Sequence, residues 1–288
     1  MKTLTLLVGP AGSGKSTLAK ELLHPECVYV NQDSQQKEHL TVFANALEAG
    51  FDIIVDRMNF NKQQRDRYLS PAKDKGYNTK IIVLHQNYET CMNRCLKRLG
   101  HHETINTKED ATNALNMFFS KYERPEEDEA DSIEFRYPER ALKLNAIVID
   151  IDGTAANIDH RLNHVRGEGK KHWGRFFEEA PNDTPNEWCR SIVKAMRSTN
   201  IIVYCSGRPD NFRITTTDWL TKHGFPMDQL FMRQEKDSRE DSIVKEILLD
   251  FEILTRYSPL FVVDDRPRVC RMWRKRGLTV LQCNDVEF

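Results

Sequence analysis

Short apolar runs separated by longer stretches of helical spacing set the rhythm of this chain. In the first part the runs are Leu4 to Val8, Val28 to Val30, Ile53 to Val55 and Ile81 to Leu84. That rhythm predicts a parallel α/β sheet. A second series, Ala146 to Ile149, Ile201 to Cys205, Phe261 to Val263 and Thr279 to Gln282, predicts another. Between them, from Arg124, the sequence turns to Arg-Pro-Glu-Glu-Asp-Glu-Ala-Asp and then Tyr137-Pro138. An acidic stretch with prolines and few apolar residues predicts a linker, here 124–141, between units 1–123 and 142–288. No internal repeat or low-complexity tract is evident.

Bulk properties narrow this picture without changing it. The 288 residues suffice for two units that each bury a core. Lys+Arg at 42 against Asp+Glu at 43 argues against coating of a long duplex, so any nucleic-acid contact has to come from local basic clusters. The 7 cysteines are odd in number and form no Cys-x-x-Cys pair, which suggests neither a disulfide framework nor a zinc knuckle. No apolar segment is long enough for a signal peptide or a membrane span. The expectation is a soluble cytoplasmic protein with no membrane partner.

Candidate chemistry begins at Gly9-Pro10-Ala11-Gly12-Ser13-Gly14-Lys15-Ser16, which fits G-x-x-x-x-G-K-[ST] directly after the first strand and opens a helix, Thr17 to Leu23. Gly9, Gly12 and Gly14 let backbone N–H groups, with those of Ser13 and Thr17, turn inward around phosphates. Lys15 reaches the β- and γ-phosphates, and Ser16 is placed for Mg²⁺. ATP is the expected donor. Asp33, after the second strand, can take a proton from an incoming hydroxyl, which a kinase requires. Asp56 and Asn59 compete with it, as acceptors of Mg²⁺-bound water or as substrate contacts. Arg94 and Arg98, four apart, put two guanidinium groups on one predicted helical face, where they could stabilise a transferring phosphoryl group. His101-His102 follow and by themselves point to nothing.

The second signal is an apolar strand ending in Asp150-Ile151-Asp152-Gly153-Thr154. Alternation puts both carboxylates on one side of the strand, and Gly153 lets the chain leave sharply. Carboxylates this close call for a cation, so Mg²⁺ is expected. The natural chemistry is covalent: Asp150 attacks phosphorus, and Asp152 protonates the leaving oxygen and then activates water. Further parts follow at later strand ends. The Ser206 hydroxyl in Ser206-Gly207-Arg208 could hold phosphoryl oxygens, Lys245 could screen the nucleophile, and Asp264-Asp265 could bind the metal.

This ordered set resembles the haloacid-dehalogenase phosphatase superfamily. The fusion, phosphate loop first and D-x-D-G-T second, resembles the T-even phage type of bifunctional polynucleotide kinase 3′-phosphatase over nearly the whole chain. Asn31-Gln32-Asp33, Arg94 and Arg98, Arg239 to Glu246, and Asp264-Asp265-Arg266 leading to Met272-Trp273-Arg274 carry that likeness. The resemblance implies a P-loop kinase sheet followed by a Rossmannoid phosphatase, with Asp33 as kinase base and Lys15, Ser16, Arg94 and Arg98 serving the nucleotide. It further implies a phosphatase site of Asp150, Asp152, Ser206, Arg208, Lys245, Asp264 and Asp265, with Arg208 on the substrate. Such enzymes phosphorylate 5′-hydroxyl ends and remove 3′-phosphates or 2′,3′-cyclic phosphates of RNA or DNA for a ligase, and some are homotetramers. If phage-encoded, the chain would work in host cytoplasm.

Departures mark this chain. Where the family has an arginine that reads the acceptor phosphate, it has Gln36, with Lys37 beside it, and Ala155 stands where the family usually has Leu. Residues 157–185 differ too, and His160, Arg161, His164, Lys170, Lys171, His172 and Trp173 there form an expected cap able to engage a nucleotide by charge and stacking. His160 and His164 have helical i,i+4 spacing, but no further zinc ligand is apparent. The motifs alone also permit a small-metabolite or nucleoside kinase fused to a nucleotide phosphatase, or an ATP-regulated binding module with a decayed phosphatase.

Overall fold

Leu4, Leu6, Leu7 and Val8 are fully buried, which makes β1 (Thr3–Val8) the centre of the first sheet. In the computed structural model, residues 2–99, 104–139, 143–167, 169 and 171–285 are described. His101, His102 and Lys170 lie outside them. The chain forms two units, Met1–Glu139 and Arg140–Phe288.

The first unit holds β2 (Cys27–Asn31), β3 (Asp52–Asp56), β4 (Asn78–Leu84) and β5 (Ser132–Arg136) around β1, in the order β2-β3-β1-β4-β5. All pairs are parallel. The chain runs out to β2, returns to β3 beside β1 and then crosses to β4. The direction of travel thus reverses next to β1, and ligands bind at the strand carboxyl ends at such a switch point. The helices are α1 (Lys15–Leu22), α2 (Gln32–Gln35), α3 (His39–Ala49), α4 (Lys62–Asp74), α5 (Tyr88–Leu96) and α6 (Lys108–Lys121). Their starts follow local chemistry: Asn61 accepts from the Gln64 N–H at 3.0 Å, Asn87 from that of Thr90 at 2.9 Å, and Thr107 with Asp110 closes a capping box.

The acidic stretch is not a free linker. It supplies β5, which pairs with β4 from Lys80↔Ser132 to Leu84↔Arg136. Glu129 is buried against the wholly buried Arg65, with contacts of 2.6 and 2.8 Å. Asp131 accepts from both the N–H and the hydroxyl of Thr79 at 2.7 Å. Two of the acids that made this stretch look solvated are therefore partners for groups on α4 and β4, and the unit continues to Glu139.

The second unit places β6 (Leu144–Ile149) at the middle of a parallel sheet ordered β10-β9-β6-β11-β12. A two-stranded antiparallel ribbon of β7 (Ala156–Asn157) and β8 (Thr184–Pro185) brackets the segment containing α7 (Trp173–Glu178). The remaining elements are α8 (Glu187–Met196), β9 (Ile201–Pro209), α9 (Arg213–Lys222), β10 (Gln229–Arg233), α10 (Asp241–Leu248), β11 (Tyr257–Asp264), α11 (Pro267–Lys275) and β12 (Val280–Gln282). Alternation along β6 sends Ile147 and Ile149 into one core with Tyr204 and Trp219. It sends Ala146 and Val148 into another with Val262 and Trp273. Sheet faces so filled leave the strand ends to carry chemistry. No helix among the described residues is long and apolar enough to cross a membrane.

Candidate active sites

The loop after β1 is shaped by a close approach. Gly12 has φ 78°, and a Cβ there would lie 2.6 Å from the Cys91 carbonyl oxygen, so only glycine lets α5 press against the loop. Gly14 precedes α1, whose first residue, Lys15, is buried and donates from Nζ to the carbonyl oxygens of Gly9 and Pro10, both at 2.9 Å. Burial lowers the pKa of Lys15, opposed chiefly by the Asp56 carboxylate. Asp56, at the end of β3, accepts from the Tyr29 hydroxyl at 2.6 Å and from Asn31 Nδ2 at 3.2 Å. Burial first, and the Asp56 bond second, push the Tyr29 phenol well up, so it stays a donor.

A cavity of about 790 Å³ is lined by Gly12, Gly14, Lys15, Ser16 and Thr17 from the loop side. Asp33, Gln36, Lys37, Asp56, Arg57 and Arg98 face it from the other elements. Asp33 sits in the first turn of α2, where Thr104 Oγ1 donates to its Oδ1 at 3.2 Å. Gln36 follows α2 with φ 46°, a left-handed backbone unusual for a side chain of its size.

Two expectations are corrected here. α5 ends at Leu96, with Arg98 in the turn beyond it, and the two arginines have different surroundings. Arg94 Nη1 instead donates to the Gly12 carbonyl at 3.1 Å, bracing the loop, and Arg98 alone lines the cavity. Asn59 is not a cavity residue: it is wholly buried and its Nδ2 donates to the Leu7 carbonyl at 2.8 Å, tying the turn after β3 to β1.

In the second unit the carboxylates gather at the ends of β6 and β11. Lys245 of α10, almost wholly buried, donates from Nζ to Asp150 Oδ1 at 2.6 Å and Asp264 Oδ2 at 3.0 Å, with Asp241 Oδ2 at 3.5 Å. Trp273 Nε1 donates to the same Asp264 oxygen at 3.1 Å. Burial disfavours the ammonium, but Asp150, Asp241 and Asp264 outweigh it and raise the Lys245 pKa well above its ordinary value. Asp150, Asp264 and Asp265 present oxygens within 4.8 Å of one another, a buried hard-oxygen set that fits Mg²⁺. Burial, then the Asp264 charge, pushes Asp265 up to about 7. A Cβ on Gly153, whose φ is 88°, would lie 2.1 Å from Asp265 Oδ2. That glycine therefore lets the turn after Asp152 close over the carboxylates.

Asp152 is turned to other partners. Arg208 meets it through Nε at 3.1 and 3.0 Å and Nη2 at 2.6 Å, and Arg161 through Nη2 at 2.5 Å. Both guanidinium groups also reach the wholly buried side chain of Asp183, at 3.1 and 2.6 Å. Burial works against the Asp152 anion, yet Arg208 and Arg161 overcome it and hold the carboxyl well below the usual range. The expected metal role of its side chain is thus corrected, because the carboxylate cluster among the described residues does not include it. Ser206 and Arg208 stand at the end of β9 beside the cavity over Asp150 and Asp152. Both are buried, the Ser206 hydroxyl accepts from the Arg208 N–H at 3.2 Å, and Gly207 and Pro209 form the cavity wall. His160 pairs with Asp183 and His164 with Glu179, at 2.9 and 2.8 Å, rather than with one metal.

The cavity over Asp150 and Asp152 measures about 550 Å³ and takes its far wall from Lys171, Trp173 and Phe177 and from the 233–241 loop. Sequence reasoning missed Asp183 and the role of Asp241, which also pairs with Arg233 at 3.4 Å and Arg266 at 3.3 Å. A carboxylate at the start of a helix gives no sign of such partners until the sheet is assembled.

Residues 144–288, half of the chain, match the model of the polynucleotide kinase PNKP phosphatase domain. The chain belongs to this family. Residues 34–122 match an AAA domain model, so the phosphate loop itself precedes the matched stretch. A bifunctional polynucleotide kinase/RNA ligase of Autographa californica nuclear polyhedrosis virus is 25% identical over 309 residues, 95% of this chain and 41% of that protein. This family member therefore spans well under half the length of that curated relative. Among solved structures, a chain of the Pnkp1/Rnl/Hen1 RNA repair complex is 23% identical, covering 100% of this chain and 97% of that one, with a TM-score of 0.44. Chaetomium thermophilum Kti12 in complex with ADP-AlF3 is 16% identical over 46% of this chain and 88% of its own, with a TM-score of 0.37.

Proposed function

We propose that the chain heals broken nucleic-acid ends. The first unit moves the γ-phosphoryl group of ATP to a 5′-hydroxyl, and the second removes a 3′-phosphate, leaving termini that a ligase can join. The observation that carries this reading is the buried constellation of Lys245, Asp150, Asp264 and Asp265 within a polynucleotide kinase phosphatase domain.

In the second unit Asp150 attacks phosphorus, the bond to the 3′-oxygen breaks, and that oxygen takes a proton from Asp152. Water then attacks the aspartyl phosphate and gives its proton to Asp152, releasing inorganic phosphate and restoring Asp150. Held as an anion by Arg161 and Arg208, Asp152 suits the second half of this cycle. To donate in the first half it has to loosen from both. Mg²⁺ beside Asp150, Asp264 and Asp265 would offset their repulsion and favour Asp150 as the anion, its nucleophilic form. In the first unit Asp33 takes the 5′-hydroxyl proton while Lys15 and Arg98 neutralise phosphate charge. Ser16, on the cavity wall, is the residue that would hold Mg²⁺ there.

The test is a matched assay with 5′-hydroxyl, 3′-phosphate oligonucleotides, RNA beside DNA, against free nucleosides and nucleoside 3′-phosphates. Turnover at both oligonucleotide ends is expected. Phosphorylation of free nucleosides in preference to oligonucleotides would replace end healing with a metabolite kinase.

A further inference from the structure

The exposed groups on the wall of the phosphatase cavity are chemically selective. Trp173 is 38% exposed although it belongs to a cluster of rings: it stacks with Phe177 at 6.0 Å and 24°, and meets buried Phe176 edge-on at 5.6 Å. An indole so supported is costly to leave to water and has a fixed orientation. Its position is tied to the catalytic loop, because Arg161 Nη1 donates to the Phe176 carbonyl at 2.9 Å and the same guanidinium binds Asp152. The Arg161 guanidinium also lies 4.1 Å from the Phe176 ring centre. The indole, the ring beneath it and Asp152 thus form one connected body.

Charge on the same wall is equally specific. Arg233, Arg239, Arg266 and Arg268 are occupied by Asp241, Asp237 and Glu240. Lys171 and Lys236 are exposed, line the cavity and have no carboxylate partner among the described residues. Lys171 Nζ stands 5.9 Å from the Trp173 ring centre. Lys236 is held at φ 67° in the loop after β10, a backbone conformation that non-glycine residues adopt at a cost.

We propose that Trp173 is the stacking platform for the base of the nucleotide whose 3′-phosphate is removed, with Lys171 and Lys236 holding the next phosphodiester of the strand. A flat aromatic face with ammonium groups lining the same cavity is the chemistry that binds a single-stranded nucleic-acid end without reading its sequence. It selects a nucleotide terminus over a sugar phosphate or a phosphopeptide. This assignment rests on the end-healing reading.

The test compares a 3′-phosphate oligonucleotide with the same strand ending in an abasic 3′-phosphate residue. For the wild-type protein KM should be roughly tenfold lower with the natural end, as one base stack provides, at similar kcat. Trp173→Ala should remove that difference by raising KM for the natural end alone, and Trp173→Phe should restore most of it. Lys171→Gln with Lys236→Gln should raise KM for both ends together and flatten its dependence on salt. Equal effects of Trp173→Ala on both ends, or none on either, would overturn the platform. Direct binding of both strands, followed by fluorescence polarisation in EDTA, should show the same tenfold gap without turnover. A tenfold gap there alongside an inactive wild-type protein would sink the end-healing reading and leave the platform standing.

Discussion

Asp152 shows how far a residue's chemistry depends on what the fold brings to it. Its place in D-x-D-G-T marks it as a proton carrier, and nothing near it in sequence hints at two guanidinium partners. One of them, Arg161, lies only nine positions on, yet it reaches Asp152 because the ribbon of β7 and β8 folds that segment back. Asp183, which completes the network, is legible from no motif. By contrast Lys15, Asp150, Lys245, Asp264 and Asp265 lie where the motifs mark them, at the start of α1, at the ends of β6 and β11 and on α10. The folded pKa of Asp152 lies well below its unfolded value near 4. Its contribution to stability is therefore fully present above about pH 4 and is lost as pH falls below it. Asp152→Asn should melt at a lower temperature than wild type near pH 7, and the gap should begin to narrow below about pH 4 and close only as pH falls through the depressed folded value. A gap independent of pH would mean the carboxylate does not hold the network.

At the scale of elements, most strands and helices follow from apolar rhythm and caps, since buried parallel strands have to be apolar. The exception is β5, an edge strand within an acid-rich stretch. Composition reports average polarity, whereas burial of Glu129 depends on Arg65, 64 residues away. Both side chains are nearly inaccessible, so removing one leaves an uncompensated charge. Glu129→Ala should destabilise the first unit by about 3 kcal/mol. Kinase activity should then be lost at a lower temperature than in wild type, with the phosphatase temperature unchanged. Equal loss of both activities would show that β5 does not belong to the first unit alone. The α5 boundary is a smaller case of the same kind. Helical spacing joins Arg94 to Arg98, but Arg98 lies in the turn beyond Leu96 and the two have different surroundings, one bracing Gly12 and one facing the cavity.

For the whole molecule, near-neutral net charge means that the proposed end healing has to rely on locally placed basic groups. Lys37 lines the first cavity, and Lys171 and Lys236 line the second. Each unit has its own sheet and its own cavity at strand ends, and that division is what a two-chemistry account requires. The decisive measurement follows one oligonucleotide bearing a 5′-hydroxyl and a 3′-phosphate, with both ends quantified in the same reaction, for wild type, Lys15→Ala and Asp150→Ala. Lys15→Ala should lower 5′-phosphorylation by at least about 100-fold while leaving 3′-phosphate removal unchanged, and Asp150→Ala should give the reverse pattern. Equal loss of both activities in either variant, or an unmodified oligonucleotide with wild type, would contradict the account.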